Sequence, residues 1–135
     1  MIAALLSILL VADVLCAESG HDWRDAELVA AVVRHRHLES GRSLARVVTR
    51  PRQFAAGCAA RGLGDRLHWR HIEVAARAHA GRLDTPAWMT EDVWYFCSVP
   101  RGGCARWRWL DRLQLAGESP SGHAYWRLGG LPKSD

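Results

Sequence analysis

The chain has 135 residues, the length of one ordinary domain, and this is enough for a hydrophobic core of its own. We therefore expect residues 1–135 to form a single domain. The net charge of +4 and the pI of about 9.2 suit an anionic partner such as nucleic acid, a membrane surface or an acidic wall polymer, but they do not predict a fold.

The first predicted element is an apolar run at 2–17, which ends at Glu18 and a polar break. Its length lies between that of a buried helix and that of a signal or membrane segment. Asp13 interrupts the run, no basic residue precedes it, and Leu15 is large for a signal-peptidase site at Ala17. We interpret the run as a buried first helix. The alternative is a targeting or membrane-release segment that associates transiently with a membrane.

Three further helices are predicted from apolar residues at helical spacing. The clearest is 25–37, which Asp22 or Asp25 can cap. A short helix at 43–49 ends before a proline, and another at 66–81 ends at a glycine. Most of the predicted regular structure is therefore helical.

The pattern changes after the last helix. Short aromatic segments at 93–97 and 123–127 have the composition of β-strands. They predict a small antiparallel sheet, while residues 129–135 read as a frayed tail. The expected fold class is α+β, mainly α.

The cysteines permit two disulfide bridges in three connectivities. A turn-rich loop separates Cys97 from Cys104, which makes a local bridge plausible in an oxidising compartment; four reduced thiols are the alternative. We predict no metal site, because the candidate ligands lack the paired spacing of zinc elements. Those ligands are His35, His37, His68, His71, Cys16, Cys58, Cys97 and Cys104.

Glu18 is the first candidate catalytic residue. A carboxylic acid on the edge of an apolar element can have its pKa raised by burial, and general-acid chemistry near neutral pH requires this. The commoner role of a glutamate in this position is a solvated helix end. Asp22 is the only nearby acidic candidate for a second catalytic carboxylate, and we expect it to cap the following helix rather than to take part in catalysis.

Several motifs follow Glu18 in a defined order. The 25–37 helix ends in Val-Arg-His-Arg, a Val-Val segment precedes Gln53 and Phe54, and an aromatic strand precedes a terminal Gly-His-Ala-Tyr. This order resembles the SleB-like cell wall hydrolases, a family of spore-cortex-lytic enzymes and related phage lysins. The resemblance spans residues 9–126.

The resemblance implies a role for each residue that matches a family motif. Glu18 matches the catalytic glutamate, and the matched substrate-binding positions are Gln53, Phe54, Tyr95, Phe96 and His123, with Arg36 at the helix end. The chain departs from the family at 19–22, and also at His35 and Cys97, where the family has asparagine. Lost asparagines change substrate hydrogen bonding, so they put activity in doubt more than fold.

The resemblance also implies a lysozyme-like fold and a peptidoglycan substrate. Such enzymes are lytic transglycosylases that cleave between N-acetylmuramic acid and N-acetylglucosamine with one glutamate and no cofactor. We accordingly expect a monomer that acts in the periplasm or cell wall after export, or a phage lysin released from the host cytoplasm. A hydrolytic muramidase is the nearest alternative.

Two other function classes stay open. The segment 106–109 interleaves arginine with tryptophan, as single-strand nucleic-acid platforms do. Against this, basic residues are spread evenly along the sequence, so we expect no nucleic-acid partner. The other class is a wall-binding module without activity. Tyr95 and His123 could also be purely structural, Gln53 could be a solvent-facing turn residue, and about two of the tryptophans are expected to line a groove.

Overall fold

The computed structural model describes residues 2–51, 53–107 and 110–129. About half of the chain is helical, and the fold is α+β with one small antiparallel sheet. The helices are α1 (Ile2–Ser19), α2 (Trp23–Ser40), α3 (Leu44–Thr49) and α4 (Trp69–Ala80), and the strands are β1 (Val93–Ser98), β2 (Leu113–Glu118) and β3 (His123–Leu128). Short 3₁₀ turns lie at Gly64–Arg66, Cys104–Arg106 and Leu110–Arg112. Of the tail predicted at 129–135, residues 130–135 lie outside the described part.

Small and β-branched side chains form the core between the helices. α1 packs against α2, α3 and α4, and α2 also packs against β1. Alanines on α2 and α4 let the helix backbones approach closely, and valines fill the space between them. The fully buried members include Val11, Leu15, Ala26, Val29, Ala30, Val32, Val33, Ala75 and Ala78.

The helix ends follow the capping residues in the sequence. Asp22 caps α2 by accepting a 3.0 Å hydrogen bond from the Asp25 backbone N–H, as predicted. Gly41 ends α2 with φ of 72°, and Gly81 ends α4 with φ of 71°. The predicted start of α2 at residue 25 and end at residue 37 were each wrong by a few residues, because both caps lie outside that range.

α1 is only partly the buried helix that the sequence predicted. Its second half enters the core, whereas the large apolar side chains of its first half are exposed: Ile2, Leu5, Leu6, Leu9 and Leu10. The six-residue α3 is too short to cover this half, although Ser7 accepts a 3.0 Å hydrogen bond from the Ala45 backbone N–H. α1 is also long and apolar enough to be a candidate membrane span. Core helices and signal sequences meet the same two criteria.

The sheet has three strands in the order β1-β3-β2, so the predicted pair of strands was incomplete. β2 was missed because Gln114 and Leu115 are both exposed and the pairing with β3 is irregular between Leu115 and Gly117, so the strand has no alternating pattern. Its Gly117 lies against the Trp88 ring, and a Cβ there would come within 2.4 Å of the ring. Glycine in this strand therefore reflects a close approach rather than a turn.

Candidate functional site

Glu18 lies in the last turn of α1 and is half-buried. Its Oε1 accepts a 2.5 Å hydrogen bond from the Ala55 backbone N–H. Burial raises the pKa of Glu18 above its usual value, and this outweighs the opposing effects of the Ala55 N–H and of His123. The carboxyl group is therefore held in its protonated form to a higher pH than an ordinary glutamate.

A disulfide and an internal aspartate fix the loop that holds Glu18. Cys16, two residues before Glu18, is bridged to Cys58. Asp13 accepts hydrogen bonds from the Cys58 N–H through its backbone carbonyl and from the Ala59 N–H through Oδ1, at 3.2 and 2.9 Å. Gly57 leaves room for the Asp13 carboxylate, because a Cβ there would overlap Oδ2. Asp13 is thus a structural contact of the site.

The second disulfide, Cys97–Cys104, confirms the predicted local bridge. It joins the end of β1 to the following turn, beside the site. All four cysteines are paired, so the alternative of four reduced thiols does not apply to this structure. The sequence allowed three connectivities and did not predict the second bridge, which the structure places between Cys16 and Cys58.

A buried carboxylate lies close to Glu18. Asp25, fully buried in the first turn of α2, accepts 2.6 Å hydrogen bonds from Nδ1 of His123 and from the hydroxyl of Tyr125. Although burial alone would raise it, these hydrogen bonds hold the pKa of Asp25 below its usual value. For His123 burial alone would lower the pKa, but the contact with Asp25 raises the pKa above its usual value. The pair is therefore ionised across mildly acidic pH.

The acid next to Glu18 is thus Asp25, and the expectation that Asp22 was the sole nearby candidate was wrong. Asp22 only caps α2. A signal for Asp25 was present in the sequence: it precedes Leu28 and Val29 at helical spacing, so it lies on the apolar face of α2. A carboxylate on a buried face needs a hydrogen-bonding partner, and here β3 supplies it.

Two adjoining cavities meet at Glu18, and we call them together the central groove. Their volumes are about 290 and 530 Å³. Six residues line both: Ala17, Glu18, Arg61, Ser98, Arg101 and His123. The smaller cavity continues past Asp25 and Arg66, and the larger one past Gln53, Phe54, Phe96, Arg106 and Trp107. Glu18 therefore lies near the middle of an elongated groove.

The family-matched residues separate into two groups. Gln53, Phe54, Phe96 and His123 line the central groove with Glu18. Tyr95 lines a neighbouring cavity of about 250 Å³, which shares Gln53 with the central groove. The Tyr95 ring also lies 6.4 Å, centroid to centroid, from the ring of Trp107, which lines the central groove.

Arg36 connects the two groups. It donates a 2.5 Å hydrogen bond to Gln53 Oε1 and a 2.6 Å hydrogen bond to the Trp94 carbonyl. Its guanidinium lies 5.2 Å from the ring centroids of both Phe54 and Tyr95. Arg36 is thus a positioning residue that fixes Gln53 and Phe54 at the groove.

The tryptophans and histidines singled out in the sequence are mostly structural. Of the tryptophans that the structure describes, Trp107 lines the central groove, and the segment 106–109 falls partly outside the described residues. His35 and His37 donate to backbone carbonyls, and His68 and His71 form the capping box of α4. Within the described ranges, no group of three or more His, Cys, Asp or Glu side chains is arranged to hold a metal ion.

Basic side chains gather at the groove, although they are spread evenly in sequence. Arg61, Arg66, Arg101 and Arg106 come from two separate loops, and all four are exposed at its walls. Among the residues that the structure describes, the carboxylates that line the groove are those of Glu18 and Asp25. Arginines that are far apart in the sequence therefore form a basic surface at the groove.

No family model, no curated protein and no solved structure matches the chain. The likeness to SleB-like cell wall hydrolases thus depends on the sequence motifs alone.

Proposed function

We propose that this protein is a peptidoglycan lytic transglycosylase with a lysozyme-like fold, similar to the SleB-like cell wall hydrolases, and that Glu18 is its single catalytic acid and base. The observation that carries the proposal is the position of Glu18: a carboxyl group with a raised pKa, near the middle of an elongated groove. General-acid cleavage of a polymer needs a protonated group where the strand crosses it.

Glu18 acts twice in the proposed reaction. It first donates its proton to the glycosidic oxygen between N-acetylmuramic acid and N-acetylglucosamine, and the bond from that oxygen to C1 breaks. The resulting carboxylate then takes the proton of the muramyl 6-hydroxyl while O6 bonds to C1. The Ala55 N–H, which already donates to Oε1, stabilises the carboxylate between the two steps.

Asp25 supports this site without reacting. Both of its oxygens accept hydrogen bonds and its side chain is fully buried, so it is poorly placed to attack C1. Its role is to orient His123 at the wall of the groove. With no second free carboxylate among the described groove residues, the sugar's own hydroxyl is the better-placed nucleophile, because it is held on the same ring.

Apolar and amide groups on one side of Glu18 supply the sugar-binding surface. Phe54, Phe96 and Trp107 offer faces on which sugar rings can stack, and Gln53 offers an amide for the acetamido groups. The two disulfides suit an oxidising compartment, in agreement with action in the periplasm or cell wall.

A hydrolytic muramidase is the second candidate, and one observation favours it. The Asp25–His123 pair resembles an aspartate that orients a histidine base, and His123 lines the groove beside Glu18. However, Asp25 raises the pKa of His123, so its ring is a weaker candidate for a neutral base at mildly acidic pH. The end groups of the products distinguish the two reactions.

The first experiment separates catalysis from binding. Purified, dye-labelled peptidoglycan is incubated with the protein and with Glu18→Gln, and soluble dye is measured. Release by the wild type alone supports the proposal. Retention on the wall without release by either protein would indicate a non-catalytic wall-binding module. Salt-sensitive retention on single-stranded DNA with no effect on the wall would indicate a nucleic-acid binder.

A further inference from the structure

The four groove arginines lie on both sides of Glu18. Arg61 and Arg101 line both cavities, and they act electrostatically on Glu18 and His123 respectively. Arg66 extends the basic surface along the smaller cavity, and Arg106 extends it along the larger one. The positive charge thus continues along the groove beyond the point where a bond would be cleaved.

These arginines have no acidic partner within the described ranges. The ion pairs found there join Arg77 to Glu27, His123 to Asp25 and Arg127 to Asp92. Asp25 is already bonded to His123, and burial raises the pKa of Glu18, which disfavours its charged form. Four exposed guanidinium groups are therefore available to an anionic ligand in the groove.

A neutral glycan offers no carboxylate to pair with these arginines, whereas peptidoglycan carries acid groups at regular intervals. Every second sugar is a muramic acid, whose lactyl group is either a free carboxylate or the attachment point of a stem peptide with its own carboxylates. Guanidinium groups bind carboxylates in a planar, often two-pronged arrangement. A strand lying across Glu18 would bring such groups to both sides of it.

We propose that the central groove selects glycan strands bearing free carboxylates on both sides of the cleaved bond, and that Arg61, Arg66, Arg101 and Arg106 bind those carboxylates. This inference rests on the proposed function and adds the charge of the substrate to it. It also distinguishes this groove from one made for neutral glycans such as chitin.

Strand binding tests the inference without requiring turnover. Calorimetry with Glu18→Gln measures Kd for four soluble probes. Two are strands that keep their stem peptides and strands freed of stems by an amidase, and the other two are these same strands after their carboxylates are converted to amides. We expect amidation to weaken binding by about tenfold, since each exposed ion pair contributes roughly two- to fivefold and the contacts act together. The two unmodified strands distinguish stem carboxylates from the lactyl carboxylate as the source.

Arginine variants locate the effect. Arg61→Gln and Arg101→Gln, each made in the Glu18→Gln background, are expected to reduce the preference for charged over amidated strands, by roughly two- to fivefold per residue. Arg46→Gln is the matched control, because Arg46 is exposed on α3 and lies outside the groove. Equal affinity for charged and amidated strands, or equal losses in the Arg61 and Arg46 variants, would overturn the inference.

The outcomes separate this inference from the proposed function. If the wild type cleaves the wall but shows no charge preference, the inference fails and the function stands. If Glu18→Gln prefers charged strands in an Arg61-dependent way but the wild type never cleaves them, the function fails and the inference stands as a binding property. If no strand binds and single-stranded DNA is retained through Arg61 and Arg101, both are overturned.

Discussion

Asp25 on α2 and His123, the first residue of β3, form a buried 2.6 Å hydrogen bond across 98 residues of sequence. This contact joins the helices to the sheet directly behind the groove. The Tyr125 hydroxyl donates to the other carboxylate oxygen, so Asp25 fixes two residues of β3 against α2. The position of the groove wall therefore depends on one buried carboxylate.

Asp25→Asn is expected to destabilise the fold. The amide cannot accept from both His123 and Tyr125 as the carboxylate does, and loss of one partner of a buried pair costs about 3 kcal/mol. Urea unfolding measures the change in the free energy of unfolding. Asp84→Asn, at an exposed position, is the control and should change it by less than about 0.5 kcal/mol. Equal values for the two variants would show that the pair does not hold the fold.

The same variant should alter the dependence of stability on pH. The pKa of Asp25 is lower in the folded state than in an ordinary aspartate. Its contribution to the free energy of unfolding is therefore complete above the ordinary aspartate pKa and is lost as the pH falls through the pKa of the folded state. The pKa of His123 is higher in the folded state than in an ordinary histidine. Its contribution to the free energy of unfolding is therefore complete below the ordinary histidine pKa and is lost as the pH rises through the pKa of the folded state. Stability should therefore be greatest between about pH 4 and 6.5, and Asp25→Asn should flatten this maximum.

The rate of wall cleavage should fall on its alkaline side as Glu18 loses its proton. Because burial raises the pKa of Glu18, this fall should occur above the pH at which an ordinary glutamate ionises. Initial rates of dye release between pH 4 and 9 give the profile. A rate that stays constant to high pH would contradict the role of Glu18 as the acid.

The two disulfides should differ in their effect on stability. In the loop-closure treatment, a separation of 42 residues gives Cys16–Cys58 about 4 kcal/mol, and a separation of 7 gives Cys97–Cys104 about 2.4 kcal/mol. Paired serine variants test this by urea unfolding. Loss of Cys16–Cys58 should also lower activity, because it releases the loop that contacts Glu18 through Ala55. Full activity in that variant would show that the loop is held by its hydrogen bonds alone.

The two halves of α1 should respond differently to substitution. Leu15 is fully buried, so Leu15→Ala should cost about 2–5 kcal/mol of unfolding free energy. Leu6 is 56% exposed, so Leu6→Ala should change it by less than about 0.5 kcal/mol. Similar small effects at both positions would show that α1 is removable from the fold, as a signal segment would be.

Local chemistry made the helices predictable. Asp22, Gly41 and Gly81 mark helix ends through side-chain capping and left-handed backbone conformations, which depend on few neighbours. The aromatic run that became β1 was found for a similar reason, since its composition differs from that of the helices. The 97–104 bridge was also local.

Contacts between distant segments were not predictable in this way. The pairing of Asp25 with His123 and the gathering of Arg61 and Arg101 at one groove depend on how the helices and sheet pack. β2 lacks an alternating pattern, because its pairing with β3 is irregular between Leu115 and Gly117. The direction of the Tyr95 side chain depends on the pairing of β1 with β3, which has an irregularity between Val93 and Tyr95.

The mass of the released sugars tests the central claim most directly. Purified peptidoglycan is digested with the wild type and with Glu18→Gln, and the soluble products are analysed by mass spectrometry. We predict that the wild type releases fragments ending in 1,6-anhydro-N-acetylmuramic acid, lighter by one water than hydrolytic products, and that Glu18→Gln releases none while remaining folded. Mostly reducing muramic ends, or unchanged release by Glu18→Gln, would contradict the account.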